Sequence, residues 1–384
     1  MKVPPHARCW LEVDAAALAH NAAHVRERAG VPLTAVVKAN GYGLGAAEVA
    51  RAALAGGAAS VAVATAEEAR VLREAGVVAP VQILGALLPG ELDLALAARA
   101  AVTIHEPADL LRVREASLRS GRPVDVHLAV DVGMRRHGVA PRDALDTLRA
   151  AQRDPALRVI GVMTHLPNAA GSELELSRAR VARFAEVVAE AEQAGCCPDQ
   201  VHAAASAAVF RLPEARFNRV RAGIALLGLD PADCLGPTEL RPALSLRARV
   251  TRVNEVRAGE PVGYGGRWVA PRDSRVALLG IGYGDGLPYG WTQGGAEVLI
   301  AGQRCPLVGS VMMDYVFVDV SDLPRSPQPG EVATLVGRDG LDELRLEPQA
   351  ARAGLIPYAL TCGLGGRLER VLIEAAQTSQ RQAA

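Results

Sequence analysis

Lysine is almost absent from this chain of 384 residues: only Lys2 and Lys38 are lysines, although Lys and Arg together number 42. Lys2 lies at the start of the sequence, so Lys38 is the one interior lysine. It follows the apolar run "LTAVV" (33–37), which is typical of a buried strand, and precedes the glycine-rich "GYGLG". A single interior amine at the end of a predicted strand is the first candidate for chemistry.

Aromatic residues, excess charge, long apolar segments and paired cysteines are also scarce or absent, and each absence argues against a type of partner, location or site. Aromatic residues make up 3% of the chain, the formal net charge is zero and no basic tract occurs, so we expect neither nucleic acid nor a membrane surface as a partner. The opening residues lack the apolar stretch of a signal peptide, and no later run is long and apolar enough to span a bilayer, so we expect neither a secretory signal nor a membrane span. The six cysteines are scattered without C-x-x-C spacing, so we expect free thiols, no metal site and a cytoplasmic location.

Apolar residues, half of the chain, follow two patterns. Between residues 14 and 235, short apolar runs alternate with Ala- and Arg-rich stretches of helical spacing. Eight such units in about 220 residues predict an α/β fold, a (β/α)8 TIM-like barrel. A doubly wound sheet is the alternative. The predicted strands are 33–37, 61–64, 81–84, 102–104, 124–130, 159–163, 201–204 and 218–222.

After residue 235 the runs become longer and alternate between polar and apolar residues. The change falls at "LGPTELRPAL" (235–244), which contains two prolines. We therefore predict a mainly β C-terminal domain over 236–384, with which residues 1–13 pair. Its predicted strands are 245–256, 275–281, 296–300, 315–320 and 331–336.

Polar residues follow five of the eight predicted barrel strands. In a TIM barrel, the loops at the C-terminal ends of the strands hold the active site. Lys38, Arg135, Arg136, His165 and Ser206 follow their strands, and Arg221, Gly223 and Ile224 finish the eighth strand. The sequence therefore predicts one site on a single rim of the barrel.

An amine at such a rim suits reaction with an aldehyde. The usual pKa of lysine, about 10.4, falls in a low-dielectric site, and the unprotonated amine can attack a carbonyl. The last units of a barrel often bind phosphate through backbone N–H groups and a hydroxyl, a role open to Ser206, Gly223 and Ile224. An aldehyde that carries a phosphate points to pyridoxal 5′-phosphate (PLP) as the cofactor.

Seven motifs, in this order, resemble the PLP-dependent alanine racemase family of fold-type III enzymes. They are "AVVKANGYGLG", "VDVGMRRHG", "THL", "VRAGIALLGL", "VGYGGRW", "GYGDG" and "VGSVMMDYVFVDV". Each motif is weak alone, but seven in order are a strong signal, and with the opening "WLEVDAAALAHN" the resemblance extends over nearly the whole chain. The resemblance implies a homodimeric racemase that interconverts L- and D-alanine, with active sites shared across the interface.

The resemblance assigns two catalytic bases: Lys38, which also binds PLP, and Tyr264 of the second subunit. Racemisation needs both, because one group removes the α-proton from one face and another returns a proton to the opposite face. Arg136 and His165 would stabilise the tyrosine phenolate. The substrate contacts would be Arg136, Met313, Tyr283 and Asp314.

The resemblance also assigns the contacts to PLP. Arg221 would face the pyridine nitrogen, where a fixed cation disfavours protonation of the ring and so favours racemisation over transamination. The phosphate contacts would be Tyr42, Ser206, Gly223, Ile224 and Tyr358.

Several positions depart from the family pattern. Many members carry a carbamylated lysine where this chain has Ala129, and that lysine braces the arginine that corresponds to Arg136. The other departures are Ala205 for asparagine, Leu227 for tyrosine, Ser310 for arginine and Ala359 for an acid. They leave the choice among alanine, serine and another small amino acid open.

Three alternatives also remain open. A fold-type III decarboxylase would pair the pyridine nitrogen with an acid instead of Arg221. A non-catalytic PLP-binding barrel protein would lack the β domain. A dinucleotide oxidoreductase would explain "GYGLGA", which satisfies G-x-G-x-x-A, but Val61 stands where an acidic residue is expected.

Overall fold

The computed structural model describes residues 3–231 and 239–373. The chain divides into two compact units: Ala17–Arg241, and a second unit that combines Met1–Ala16 with Pro242–Ala384. The boundary predicted between residues 235 and 236 lies outside the described residues, as do Lys2 and Cys234.

Within the described part of Ala17–Arg241, eight parallel strands form a nearly closed barrel. The first strand of the chain, β1 (Cys9–Asp14), belongs to the other unit. The barrel strands are β2 (Leu33–Val36), β3 (Ser60–Val63), β4 (Val81–Ile83), β5 (Val102–Ile104), β6 (Val124–Ala129), β7 (Leu157–Met163), β8 (Gln200–His202) and β9 (Val220–Ala222).

The strands pair in two sets, β4-β3-β2-β9 and β5-β6-β7-β8. A single bridge between Gln82 and Ala101 joins β4 to the residue before β5. Near β8 and β9, the Arg221 amide donates to the Ala204 carbonyl at 3.0 Å. Because β9 returns to pair with β2, the predicted barrel is confirmed and a doubly wound sheet is ruled out.

Helices surround these strands and bury small side chains against them. In the helix Pro141–Arg153, the buried residues Ala144, Leu148 and Ala151 recur every three or four positions. The barrel helices are α1 (Ala15–Ala29), α2 (Ala46–Ala55), α3 (Ala66–Glu74), α4 (Pro89–Ala97), α5 (Ala108–Ser120), α6 (Pro141–Arg153), α7 (Leu174–Gln193) and α8 (Ser206–Arg211). None of the helices in the described ranges has the length and apolar character needed to cross a bilayer.

The other unit is mainly β, as predicted. Its strands are β1, β10 (Leu244–Val256), β11 (Pro261–Val262), β12 (Trp268–Val269), β13 (Ser274–Leu279), β14 (Glu297–Ile300), β15 (Gln303–Val308), β16 (Val316–Asp319), β17 (Val332–Asp339), β18 (Asp342–Leu344) and β19 (Glu369–Ile373), with helices α9 (Leu346–Arg352) and α10 (Pro357–Gly363). The main sheet has the order β18-β17-β14-β15-β16-β13-β10-β1-β19. β1 pairs antiparallel with β10 and parallel with β19.

Candidate active site

Lys38 follows β2 after a single residue, at the C-terminal rim of the barrel. The four residues after it, 39–42, adopt left-handed backbone conformations with φ between 50° and 63°. This conformation costs about 1–2 kcal/mol for each residue other than glycine, so the turn needs compensating contacts. One of them is local: the Ala46 amide donates to Asn40 Oδ1 at 3.0 Å.

Glu68, which the sequence analysis missed, supplies further contacts to this turn. Its Oε1 accepts a hydrogen bond from the Ala39 amide at 2.6 Å, and its Oε2 accepts one from the Ala64 amide at 2.7 Å. Glu68 therefore ties the backbone beside Lys38 to the loop after β3. The T-x-x-E pattern of a capping box, which begins at Thr65, was the available signal.

His165 lies within the electrostatic influence of three cations. Burial, as the largest cause, and the positive charges of Arg221, Arg136 and Lys38 together lower the pKa of its imidazole to about 3. His165 is therefore neutral near pH 7. The structure thus brings Lys38, Arg136, His165 and Arg221 together on one rim.

Arg136 is exposed, and within the described ranges its guanidinium donates to no other residue. The loop that carries it is fixed through Asp131, whose Oδ1 accepts from the Gly133 amide at 2.8 Å and whose Oδ2 accepts from the Arg135 amide at 2.9 Å. Ala129 is buried and offers Arg136 no polar group. The Arg136 guanidinium is thus available for a carboxylate ligand.

Arg221 is buried, and most of its hydrogen-bonding capacity is used inside the barrel. Nη1 donates to His202 Nδ1 at 2.7 Å and to the His202 carbonyl at 3.0 Å. Nη2 donates to the carbonyls of Thr164 and Ala203 at 2.7 and 3.1 Å. Burial lowers the pKa of Arg221 to about 10, so it remains charged. Its Nε–H has no partner among the described residues, which leaves one fixed donor for a ligand.

Four of the predicted phosphate contacts lie close together around Gly223: Tyr42, Ser206, Gly223 itself and Ile224, the next residue. Ser206 Oγ accepts from the amide of Gly223 at 3.2 Å and more weakly from that of Ala225 at 3.4 Å. A Cβ on Gly223 would lie 2.2 Å from Tyr42 Oη, so any larger residue here would displace the Tyr42 side chain. Ile224 begins the short 3-10 turn Ile224–Leu227. Hydroxyls and backbone amides gathered in this way suit a phosphate.

The other predicted site residues belong to the β unit: Tyr264, Tyr283, Met313 and Tyr358 are exposed, and Asp314 is half-buried. The Tyr283 amide donates to the Met312 carbonyl at 2.9 Å, which places Tyr283 beside Met313. Arg367 donates to Asp314 Oδ1 at 2.8 Å.

Tyr264 is 77% exposed, Met313 53% and Tyr283 43%. The Tyr283 ring lies 6.4 Å from that of Tyr289, over which the Arg267 guanidinium sits at 5.6 Å. These side chains leave a large apolar area in contact with water.

A barrel that carries one amine, one fixed guanidinium and a set of phosphate-type donors on the same rim, in a chain that also contains a β unit, is typical of an enzyme of the TIM-barrel class. Residues 13–231 match the family description "Alanine racemase, N-terminal domain", and residues 243–372 match "Alanine racemase, C-terminal domain". The chain belongs to the alanine racemase family, which confirms the resemblance seen in the sequence.

Individual relatives agree with this assignment. The alanine racemase of Mycobacterium tuberculosis is 39% identical over 369 residues, which is 94% of this chain and 95% of that protein. That of Nostoc sp. is 36% identical over 370 residues, or 95% of each. Among solved structures, the alanine racemase of D-cycloserine-producing Streptomyces lavendulae has a TM-score of 0.89 at 33% identity and covers 97% of this chain and 98% of its own. That of E. faecalis has a TM-score of 0.88 at 34% identity, with coverages of 97% and 100%.

Proposed function

We propose that this protein is a homodimeric, PLP-dependent racemase that interconverts L- and D-alanine. Membership of the alanine racemase family supports the reaction. The observation that carries the proposal is the placement of Lys38 and of the buried Arg221, with its one unused Nε–H, at the same rim. A cationic donor there suits racemisation, whereas an acidic partner would suit chemistry that needs a protonated ring.

The rim residues match PLP part by part. The Lys38 amine matches the aldehyde, the Arg221 Nε–H matches the pyridine nitrogen, which is a hydrogen-bond acceptor, and the hydroxyl and amide groups of Ser206 and Gly223 match the phosphate. Tyr42, Ile224 and Tyr358 complete the proposed phosphate contacts. The site residues therefore fit this cofactor.

When bound, PLP supplies an electron-withdrawing group that acidifies the α-carbon of an amino acid. The Lys38 Nζ takes or returns the α-proton on one face, and the Tyr264 Oη of the second subunit does so on the other. One proton leaves Cα and one arrives on the opposite side, so the configuration inverts with no net change in composition. Arg136 binds the substrate carboxylate, and the neutral His165 supports the tyrosine through hydrogen bonding. Tyr283, Met313 and Asp314 line the substrate entrance.

Chiral chromatography of L-alanine incubated with protein and PLP tests the reaction. We expect D-alanine to accumulate until the two enantiomers are equal, and the same mixture to form from D-alanine. L-serine, ornithine, lysine and diaminopimelate serve as comparison substrates. Release of CO₂ from any of them would indicate a decarboxylase. Bound PLP without turnover of any amino acid would indicate a binding protein.

The dimer is proposed because exposed apolar area is unfavourable in water and Tyr264, Met313 and Tyr283 all contribute to it. If each site takes its lysine from one subunit and its tyrosine from the other, a mixture of two inactive variants regains activity. Subunits of Lys38→Ala and Tyr264→Phe, unfolded and refolded together, should recover about one quarter of the wild-type rate, because half the dimers are mixed and each has one intact site.

Each variant refolded alone is the control for this mixing experiment. A mixture that stays as inactive as its components, while gel filtration shows dimers, would exclude a shared site.

We also propose that the enzyme works in the cytoplasm, where it would supply D-alanine. Cys9, Cys196, Cys197 and Cys305 carry free thiols, which fits a reducing compartment. Cell fractionation followed by immunodetection tests the location, and recovery in a secreted fraction would contradict it.

A further inference from the structure

Behind Arg221, a row of hydrogen-bonded side chains runs into the barrel. Arg221 Nη1 donates to His202 Nδ1 at 2.7 Å, and His202 Nε2 lies 3.1 Å from His127 Nδ1. The two imidazole rings stand edge to face, with an interplanar angle of 88° and centroids 5.1 Å apart. All three residues are buried, His202 completely. None of the catalytic roles proposed above uses His127 or His202.

The chemistry of arginine fixes the direction of this row. A guanidinium has only donors, so His202 Nδ1 must accept and carry no proton. A neutral His202 then has its proton on Nε2, which donates to His127 Nδ1. His127 in turn carries its proton on Nε2. The Arg221 guanidinium, which can only donate, therefore determines the position of the proton on both histidines.

Both histidines are held neutral. Burial lowers the pKa of His127 to about 3, and the charges of Arg219 and Arg221 act in the same direction. Burial also lowers the pKa of His202, and Arg221, His127 and Arg219 add to this effect. A protonated His202 could not accept a hydrogen bond from Arg221 Nη1, so this hydrogen bond requires a neutral His202.

The neighbouring strand leaves room for this arrangement. A Cβ on Gly161, in β7, would lie 2.1 Å from His127 Nδ1, the atom that accepts from His202. Glycine is therefore needed there for the His127 ring to stand in line. Arg219 donates to Thr34 Oγ1 at 3.2 Å and to Ser60 Oγ at 3.1 Å, so its charge is fixed near the far end of the row.

We propose that His127 is a positioning residue for Arg221. Acting through His202, it locks the tautomer whose Nδ1 lone pair faces Nη1 and so holds the guanidinium with Nε–H directed to its ligand. Without an acceptor at position 127, His202 can exchange tautomers or turn, and its Nδ1–H would then oppose Nη1. The consequence for PLP rests on the proposed function. If Arg221 were less well fixed, its contact with the pyridine nitrogen would weaken. Transamination would then increase: more alanine would transfer its amino group to the cofactor and be released as pyruvate.

Nuclear magnetic resonance of ¹⁵N-histidine-labelled protein without PLP tests the row independently of any activity. The chain has only 8 histidines, and the variants below assign the signals. We expect both His127 and His202 to be protonated on Nε2 alone at neutral pH. A proton on Nδ1 of either residue overturns the proposal. If both histidines are protonated on Nε2 alone but no racemisation is found, the proposed function is wrong and the proposed hydrogen-bond direction is still supported.

Paired substitutions test the consequence for Arg221. Asparagine at position 127 keeps an acceptor in place of Nδ1, whereas phenylalanine keeps a ring and offers none. We expect His127→Phe to lower kcat about tenfold with little change in KM, to raise the fraction of turnovers that end in pyruvate, and to mix the His202 tautomers. His127→Asn should restore all three, and His6→Asn is the control at an exposed histidine.

An equal pyruvate fraction and an unchanged His202 tautomer in His127→Phe would overturn the proposal. If His127→Phe does not fold, Gly161→Ala displaces the same ring and must give the same changes.

Discussion

Replacement of Lys38 with alanine is expected to lower the rate of racemisation by at least about 10⁴-fold, because it would remove both functions proposed for this residue, the general base and the covalent attachment of the cofactor. We expect the remaining rim residues to hold the phosphate, so some PLP should be retained without the visible absorbance that its bond to lysine would give. The measurement is the rate of D-alanine formation together with the visible spectrum.

The scarcity of lysine gives this experiment a matched control. Lys2→Ala removes the other lysine of the chain and should leave rate and spectrum unchanged. Borohydride reduction followed by peptide mapping should place a pyridoxyl group on the peptide that contains Lys38. A label on Lys2, or on no lysine, would contradict the assignment of Lys38.

Mild acid is expected to destabilise the barrel strongly, because it must charge histidines that are neutral in the folded state. The pKa values of His127 and His165 are lowered from 6.5 to about 3. Between these values the unfolded chain binds more protons than the folded one, so stability is complete above about pH 6.5 and is lost as the pH falls toward 3. At pH 5 each histidine costs about 2 kcal/mol, and together they cost about 4 kcal/mol.

Urea unfolding of the protein without PLP, at pH 7.5 and at pH 5, measures this loss as a lower free energy of unfolding. His202, whose pKa is also lowered by burial, acts in the same direction. In His127→Asn, the decrease in the free energy of unfolding that we assign to His127 and His165 should be about half as large, because asparagine does not titrate. An equal free energy of unfolding at the two pH values would show that these histidines are not buried neutral.

The sequence predicted most strands closely because their apolar runs are local signals. The run 102–104 corresponds to β5 without any shift, and 245–256 differs from β10 by one residue. The strand Gln303–Val308 was missed: it contains Pro306, and three of its residues are exposed, so it lacks the pattern of a buried strand. β19 was missed as well, although it pairs with β1 across most of the chain length.

Side-chain partnerships distant in sequence were beyond the reach of pattern analysis. His127 and His202 each stand inside an apolar run, and a polar residue there was the available signal, but nothing local shows that the two rings meet. The left-handed residues 39–42 were equally hidden, because only Gly41 among them is a residue that usually adopts this conformation. Their support comes from Glu68, about thirty residues later in the chain.

The barrel has two seams, where β4 meets β5 and where β8 meets β9, each with few backbone hydrogen bonds. Arg221 lies in a strand of one four-stranded ladder and Lys38 follows another strand of the same ladder, while Arg136 and His165 follow strands of the other ladder. A slight opening along these seams would change the distance between the Lys38 amine and the Arg136 guanidinium while each ladder stays whole. Substitutions at the seams are therefore a route to altered substrate size that leaves the reacting groups themselves untouched.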